Sequence, residues 1–232
     1  MPPRPGGPLA TRPLHFIWIA DCSGSMAQDG KIQALNNAIR EALPHMRRVA
    51  EDNPNGSVLV RALRFSTLAT WHVATPTPVA QFQWDDLEAD GETKLGLALE
   101  MLTEQLKMPP MEQRAFPPVL VLISDGHASD DYKRGMQAML REPWGSKAVR
   151  VAIGIGQDVD QDMLQEFIGN KELRPLQADN PESLVALIQW VSTAVLQSVS
   201  SPINEDVTRP SNLHIPVMQP RGGASPGSLD TW

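Results

Sequence analysis

Cysteine is almost missing from this chain of 232 residues, since Cys22 is the only one. That excludes an internal disulfide and any cysteine-built zinc site. Long apolar runs are missing as well, and none approaches the roughly 18 residues that a membrane-spanning helix needs. The opening "MPPRPGGPLATRP" lacks the apolar stretch of a secretory leader. Together these absences lead us to expect a cytoplasmic protein with no membrane contact. Charge does not come in blocks either: 20 basic and 27 acidic side chains are interspersed, for a net charge of −7. Nucleic-acid binding would call for a basic patch or stripe, so none is expected. A Walker A loop, a Gly-x-Ser-x-Gly elbow, a His-Glu-x-x-His helix and paired Cys/His ligands are also absent. Their absence argues against the enzyme classes they mark.

The content that remains is that of a soluble globular protein, 41% hydrophobic and 20% charged. Residues 1–13 hold five prolines, and 201–232 are rich in Pro, Ser and Gly. Neither stretch offers enough apolar surface to offset ordering entropy, so both are expected to be flexible. One folded unit over 14–200 is left. Within it, apolar runs of strand length alternate with segments of helical periodicity. The runs "LHFIWIA", "PPVLVLISD" and "AVRVAIGIG" read as strands buried on both faces, and "LRPLQA" as a weak one. "SVLVRALRF" and "TLATWHV", separated by a minimal turn, read as a hairpin with an edge strand. Helices are expected over 31–50 with a kink at Pro44, and over 95–106, 132–141 and 181–200, with a short one at "VDQDMLQEFI". Alternation of this kind predicts an α/β fold whose mostly parallel sheet is covered on both faces. Ligands of such sheets bind beyond the carboxyl ends of the strands, near the topological switch point.

The residues at those strand ends are distinctive. Asp21 closes "FIWIAD", Ser23 and Ser25 follow it, and Asp125 closes "VLISD". The loop "DGETK" brings Thr93 to the start of the next helix at the same edge. Two carboxylates and three hydroxyls form an all-oxygen donor set, suited to a hard cation such as Mg²⁺. Taken alone, Asp-x-Ser-x-Ser is more often a helix cap than a ligand set. The joint occurrence of Asp21-x-Ser23-x-Ser25, Gly91-Glu92-Thr93 and Ser124-Asp125-Gly126, in that order, shifts the balance to a metal.

This three-part pattern resembles the von Willebrand factor type A domain with its metal-ion-dependent adhesion site. The resemblance covers about 14–200 and implies a Rossmann-like, doubly wound sheet with one antiparallel edge strand. It also implies that Asp21, Ser23, Ser25, Thr93 and Asp125 hold Mg²⁺, with Mn²⁺ or Ca²⁺ as substitutes. The stretches "VRALRFSTLATWHV", "PVAQFQWDDL" leading into "GETKLGLAL", and "VLVLISDGHASDDY" resemble bacterial TerY-type proteins associated with tellurite resistance and stress or defence systems. That likeness implies a Ser/Thr kinase and a PP2C-type phosphatase as partners.

The expected activity is binding without catalysis, in which the ion captures an acidic side chain of another protein. The competing readings are an adaptor of an AAA+ ATPase and a Mg²⁺-dependent phosphotransfer or hydrolytic enzyme. For a receiver-type phosphotransfer site, "VRVAIGIG" ends without the lysine that such chemistry wants. Cys22 reads as a small filler pointing away from the ion, and His127 as a hydrogen-bonding or partner-contacting side chain. Glu92 reads as a solvated loop acid, with the sharper alternative that it mimics an incoming ligand. Ser129–Tyr132 reads as the cap of the next helix.

Overall fold

A computed structural model describes residues 12–53 and 56–197. The expected flexibility of the two ends falls mainly on 1–11 and 198–232, which lie outside the described residues. The elements in chain order are β1 (Arg12–Asp21), a 3-10 segment (Gly24–Gly30), α1 (Lys31–Glu51), β2 (Gly56–Phe65) and β3 (Ala69–Pro78). They continue with α2 (Leu95–Gln105), β4 (Val119–Ser124), α3 (Tyr132–Arg141), α4 (Pro143–Lys147) and β5 (Val149–Ile155). Last come α5 (Gln161–Ile168), β6 (Leu176–Ala178), α6 (Pro181–Trp190) and a π-helical turn over Val191–Val195.

The six strands form one sheet in the order β3-β2-β1-β4-β5-β6. Every neighbouring pair is parallel except β2 with β3, which is antiparallel. The predicted doubly wound sheet with one antiparallel edge strand is therefore present. Its central strands are apolar on both faces because helices cover both. Leu14, Phe16, Trp18 and Ala20 of β1 pack with α1 and α6, through Ile32, Leu35, Ile39, Leu184 and Ile188. Ile17 and Ile19, from the alternate positions, pack with α2, α3 and α5, through Leu99, Met136 and Phe167. The period-2 alternation of a strand thus divides one run of apolar residues between two cores. At β3, by contrast, no residue is fully buried, as suits an edge strand that ends in Pro78.

Three features depart from the sequence reading. β1 begins at Arg12, inside the stretch expected to be flexible. α1 runs through Pro44 to Glu51 as one helix. The last helix changes to a π-helical turn at Val191, and its expected final residues 198–200 lie outside the described residues.

The strand order locates the site. β1 is hydrogen-bonded to β2 on one side and β4 on the other, so the chain winds outward in two directions from the β1–β4 boundary. Ala20 pairs with Ile123 across that boundary. Asp21 and Ser124, each one residue further on, therefore leave the sheet side by side at its carboxyl edge. That crevice is where open α/β sheets bind ligands.

Candidate metal centre

Asp21 is the last residue of β1 and is fully buried. Its Oδ1 accepts the backbone N–H of Ser23 at 2.8 Å, and its Oδ2 accepts the hydroxyl of Ser124 at 2.5 Å. Asp125 follows β4 and is buried as well. Its Oδ1 accepts the Ser25 hydroxyl at 2.7 Å, and its Oδ2 accepts the ammonium of Lys31 at 2.8 Å. Ser23 and Ser25 share a hydrogen bond of 3.0 Å between their hydroxyls. The structure thus joins Asp21, Ser23, Ser25 and Asp125 into one connected cluster spanning β1 and β4.

The hydrogen bonds bear on the cap reading of the serines. The N-cap of α1 is Gly30, and Ser23 makes no side-chain cap bond to the 3-10 turn that it precedes. Both hydroxyls are turned into the acid cluster instead. That is where ligands would stand, and a capping serine would point elsewhere.

Thr93 reaches the same edge through its backbone. The loop before α2 is fastened by Gly24 N–H to Gly91 O at 2.9 Å and by Asp90 N–H to Cys22 O at 2.8 Å. The N–H of Ser129, just beyond Asp125, donates to the Thr93 carbonyl at 2.8 Å. Gly91 is needed here: its φ is +84°, and a Cβ would lie 2.3 Å from Thr67 Oγ1. Among the described residues, the Thr93 hydroxyl has no hydrogen bond to the cluster. The loop that carries it is tied to the Cys22–Gly24 segment and to Ser129, which brings Thr93 to the same sheet edge and no further.

Electrostatically the cluster carries two buried acids against one ammonium. Burial pushes the Asp21 carboxyl up to about 6, with Asp125 adding to the rise, against the pull of hydrogen bonds from Ser124 and Ser23. Two buried carboxylates with hydroxyls beside them and no thiolate or imidazole make a donor set that fits a hard cation. Among the described residues, no group of three or more His, Cys, Asp or Glu could hold a metal. A site here would depend on its hydroxyls to complete the coordination.

The remaining sequence candidates fall outside the cluster. Cys22 is buried among the core side chains, and burial pushes its thiol up to about 12, which makes it inert. His127 is 70% exposed and lies 3.4 Å from Asp160. Glu92 lies 3.4 Å from both Lys94 and the Ser129 hydroxyl. Asp131 caps α3, accepting from the Arg134 N–H, as expected of that stretch. The neighbouring Asp130 instead caps α2 from outside, accepting the N–H groups of Gly96 and Leu97 at 2.8 and 3.0 Å.

Three positions that matter to the site were not singled out from the sequence. Lys31 is one, and its signal is a cation in the first turn of a helix, where the dipole disfavours it unless a carboxylate is near. Asp130 is the second: the sequence places it only within the cap of α3, and its bonds to the start of α2 carry no local signal. Asn36, buried on α1, is the third: it takes N–H bonds from Trp84 and Leu87 and donates to the Leu87 carbonyl. That fastens the long connection between β3 and α2, which delivers Thr93. Nothing local marks Asn36 beyond a polar residue on an apolar helix face.

Comparison with known proteins agrees with this architecture. The family model of the von Willebrand factor type A domain matches residues 17–190. The chain belongs to that family. A comparison with curated proteins gives no match. Among solved structures, a von Willebrand factor type A protein from Catenulispora acidiphila aligns with a TM-score of 0.60 at 16% identity, over 81% of this chain and 43% of its own. The ArnB paralog VWA2 from Sulfolobus acidocaldarius aligns at 0.56 and 20%, over 76% and 44%. Proximal thread matrix protein 1 of the mussel byssus, with a zinc-occupied MIDAS motif, aligns at 0.60 and 14%, over 81% and 46%. At these identities the likeness is one of fold, and this chain spans less than half the length of each of the three.

Proposed function

We propose that this type A domain is a non-enzymatic, Mg²⁺-dependent protein-binding module. In this reading Asp21, Ser23, Ser25, Thr93 and Asp125 hold the ion, and a partner presents an acidic residue to it. The observation that carries the proposal is the joined set Asp21–Ser23–Ser25–Asp125 at the β1–β4 crevice, with both serine hydroxyls turned to the acids rather than to a helix end. Mn²⁺ and Ca²⁺ offer the same hard-cation chemistry. When bound, the ion supplies a Lewis-acidic centre that attracts a carboxylate. The chain's own contribution is to fix the two acids by neighbouring hydroxyl and N–H donors and to hold the Gly91–Thr93 loop against them. The zinc-occupied motif of the mussel protein supports a divalent ion in this fold.

For the biological setting we propose a cytoplasmic stress-response or defence system that includes a Ser/Thr kinase and a PP2C-type phosphatase. This rests on the likeness of three sequence stretches to TerY-type proteins. The alternative partner is an AAA+ ATPase, and a hydrolytic or phosphotransfer role comes third.

The test uses the full chain, first by titration with Mg²⁺ and Mn²⁺, then as bait with Mg²⁺ or with EDTA. Divalent binding lost in Asp21→Ala and Asp125→Ala, with partner capture lost in EDTA, supports the module. Capture that survives EDTA and Asp21→Ala overturns it. An AAA+ ATPase among the captured proteins, without kinase or phosphatase, selects the alternative adaptor. Phosphate or ester turnover lost in Asp21→Ala selects the enzyme.

A further inference from the structure

Lys31 begins α1 and sets its ammonium 2.8 Å from Oδ2 of Asp125. Its side chain is 13% exposed, while that of Asp125 is fully buried. Among the described residues, no other cationic side chain pairs with either acid of the cluster. With Ser25 on Oδ1 and Lys31 on Oδ2, both oxygens of Asp125 are already engaged. Two carboxylates and one ammonium leave a net charge of −1, and a divalent ion would bring the sum to +1.

We propose that Lys31 is a resident counter-cation of Asp125 that competes with the divalent ion, keeping its affinity low until an anionic group from the partner joins it. This rests on the metal reading of the site. A buried carboxylate left without a cation is costly, so the lysine stabilises the metal-free domain. The same ammonium repels an incoming ion, strongly so at a few ångströms in a site shielded from water. Because Lys31 ends in a flexible four-carbon stem, it can give way, whereas Asp125 is fixed behind β4. An acid arriving from the partner offsets the surplus charge of the loaded site. Ion and partner acid then bind cooperatively, each raising the affinity of the other by the same factor. If Lys31 were instead a static brace for Asp125, removing its charge would leave metal affinity unchanged or lower it.

The experiment measures Mn²⁺ binding to the full chain by calorimetry, together with thermal midpoints in EDTA and in saturating Mn²⁺. Wild type is compared with Lys31→Met, Lys31→Gln, Lys31→Arg and Asp125→Ala. The glutamine variant keeps a hydrogen-bond donor near Asp125 and covers the case in which the methionine variant does not fold. Both neutral variants should bind Mn²⁺ at least about tenfold more tightly than wild type, given the size of the repulsion removed. Their midpoints should fall in EDTA and recover in Mn²⁺, while Lys31→Arg stays near wild type. Wild-type binding that is abolished by Asp125→Ala but equal or weaker in both neutral variants overturns the Lys31 proposal and leaves the metal site standing. No Mn²⁺ binding by wild type or by either neutral variant overturns the metal site and this proposal with it. Binding that appears only in the neutral variants supports the competition in its strongest form.

Discussion

Asp21 sits where water is excluded, and its carboxyl is held above the ordinary range by that burial. Asp21→Asn keeps the shape and removes the charge. Divalent ions should then give no thermal stabilisation, while the midpoint in EDTA should match or exceed that of wild type. Differential scanning fluorimetry with and without Mg²⁺ checks both, and a large loss in EDTA would assign Asp21 a structural role instead. At the opposite end of the same strand, His15 is buried and its Nε2 lies 2.7 Å from Glu112. Burial lowers the His15 pKa from 6.5, more than the Glu112 hydrogen bond raises it, and the nearby Arg61 lowers it further. Glu112 is disfavoured as an anion by its partial burial, but the bond from His15 and the charges of His15 and Arg61 carry its pKa below 4.5. The folded state therefore holds His15 neutral where the unfolded chain would protonate it. Its contribution to stability is complete above pH 6.5 and is lost as pH falls from 6.5 through the lowered folded value. The Glu112 contribution follows from 4.5 downward. His15→Gln should flatten the fall of the thermal midpoint just below pH 6.5, and an unchanged slope would exclude His15 as its source.

At the scale of elements, the closeness of α2 to α3 governs where Thr93 stands. Gly96 and Gly135 allow the approach: a Cβ on Gly135 would lie 2.7 Å from the Gly96 carbonyl oxygen and 2.9 Å from Leu99 Cβ. Since one obstacle is backbone, a helix has to move. Gly135→Ala should cost about 1–3 kcal/mol, as overpacking of a filled interior does. Urea unfolding measures it, and a cost near zero would mean that the helix pair gives way easily. Asp130 secures the same region by capping α2 from the β4–α3 loop. Asp130→Ala should cost about 1 kcal/mol, the usual magnitude for a lost cap, and should weaken metal binding without abolishing it. A variant that keeps wild-type metal affinity would show that Thr93 does not depend on this brace.

On the scale of the whole molecule, the carboxyl-edge site and the last helix lie in one connected structure. Leu184, Leu187, Ile188, Val191 and Val195 all reach the core on the α1 face, as their spacing predicts. The chain changes to π-helical hydrogen bonding at Val191–Val195, a rare form that is frequent at functional sites. A helix packed on a sheet in this way can slide against it, a displacement of the shear type. Hydrogen exchange over 181–195 should change when Mg²⁺ and partner are both bound. Unchanged protection with binding confirmed separately would describe a rigid adaptor. Loading the metal alone should raise global stability by about 2.7 kcal/mol at a hundredfold excess over its Kd, and EDTA should reverse this.

Much of this was legible from the chain, because it depends on short-range pattern. Runs such as Val119–Ser124 are apolar at every position only when both faces are covered, and that announces a parallel sheet with helices on each side. Asp21 and Asp125 were legible as neighbours because each closes such a run, and parallel strands bring their carboxyl ends to one edge. Local pattern did not determine what satisfies those acids. That Ser25 donates to Asp125 and Ser124 to Asp21, across about a hundred residues of sequence, follows from the β1–β4 register. That Lys31 and not solvent faces Asp125 follows from where the 3-10 turn delivers the start of α1. Asn36 and Asp130 hold backbone groups of segments distant in sequence, and such partners come together only when the helices pack. Residue types and their spacing determined which donors reach the edge, and the tertiary structure decided how they are paired, because a buried polar group has to find its partner wherever packing places one.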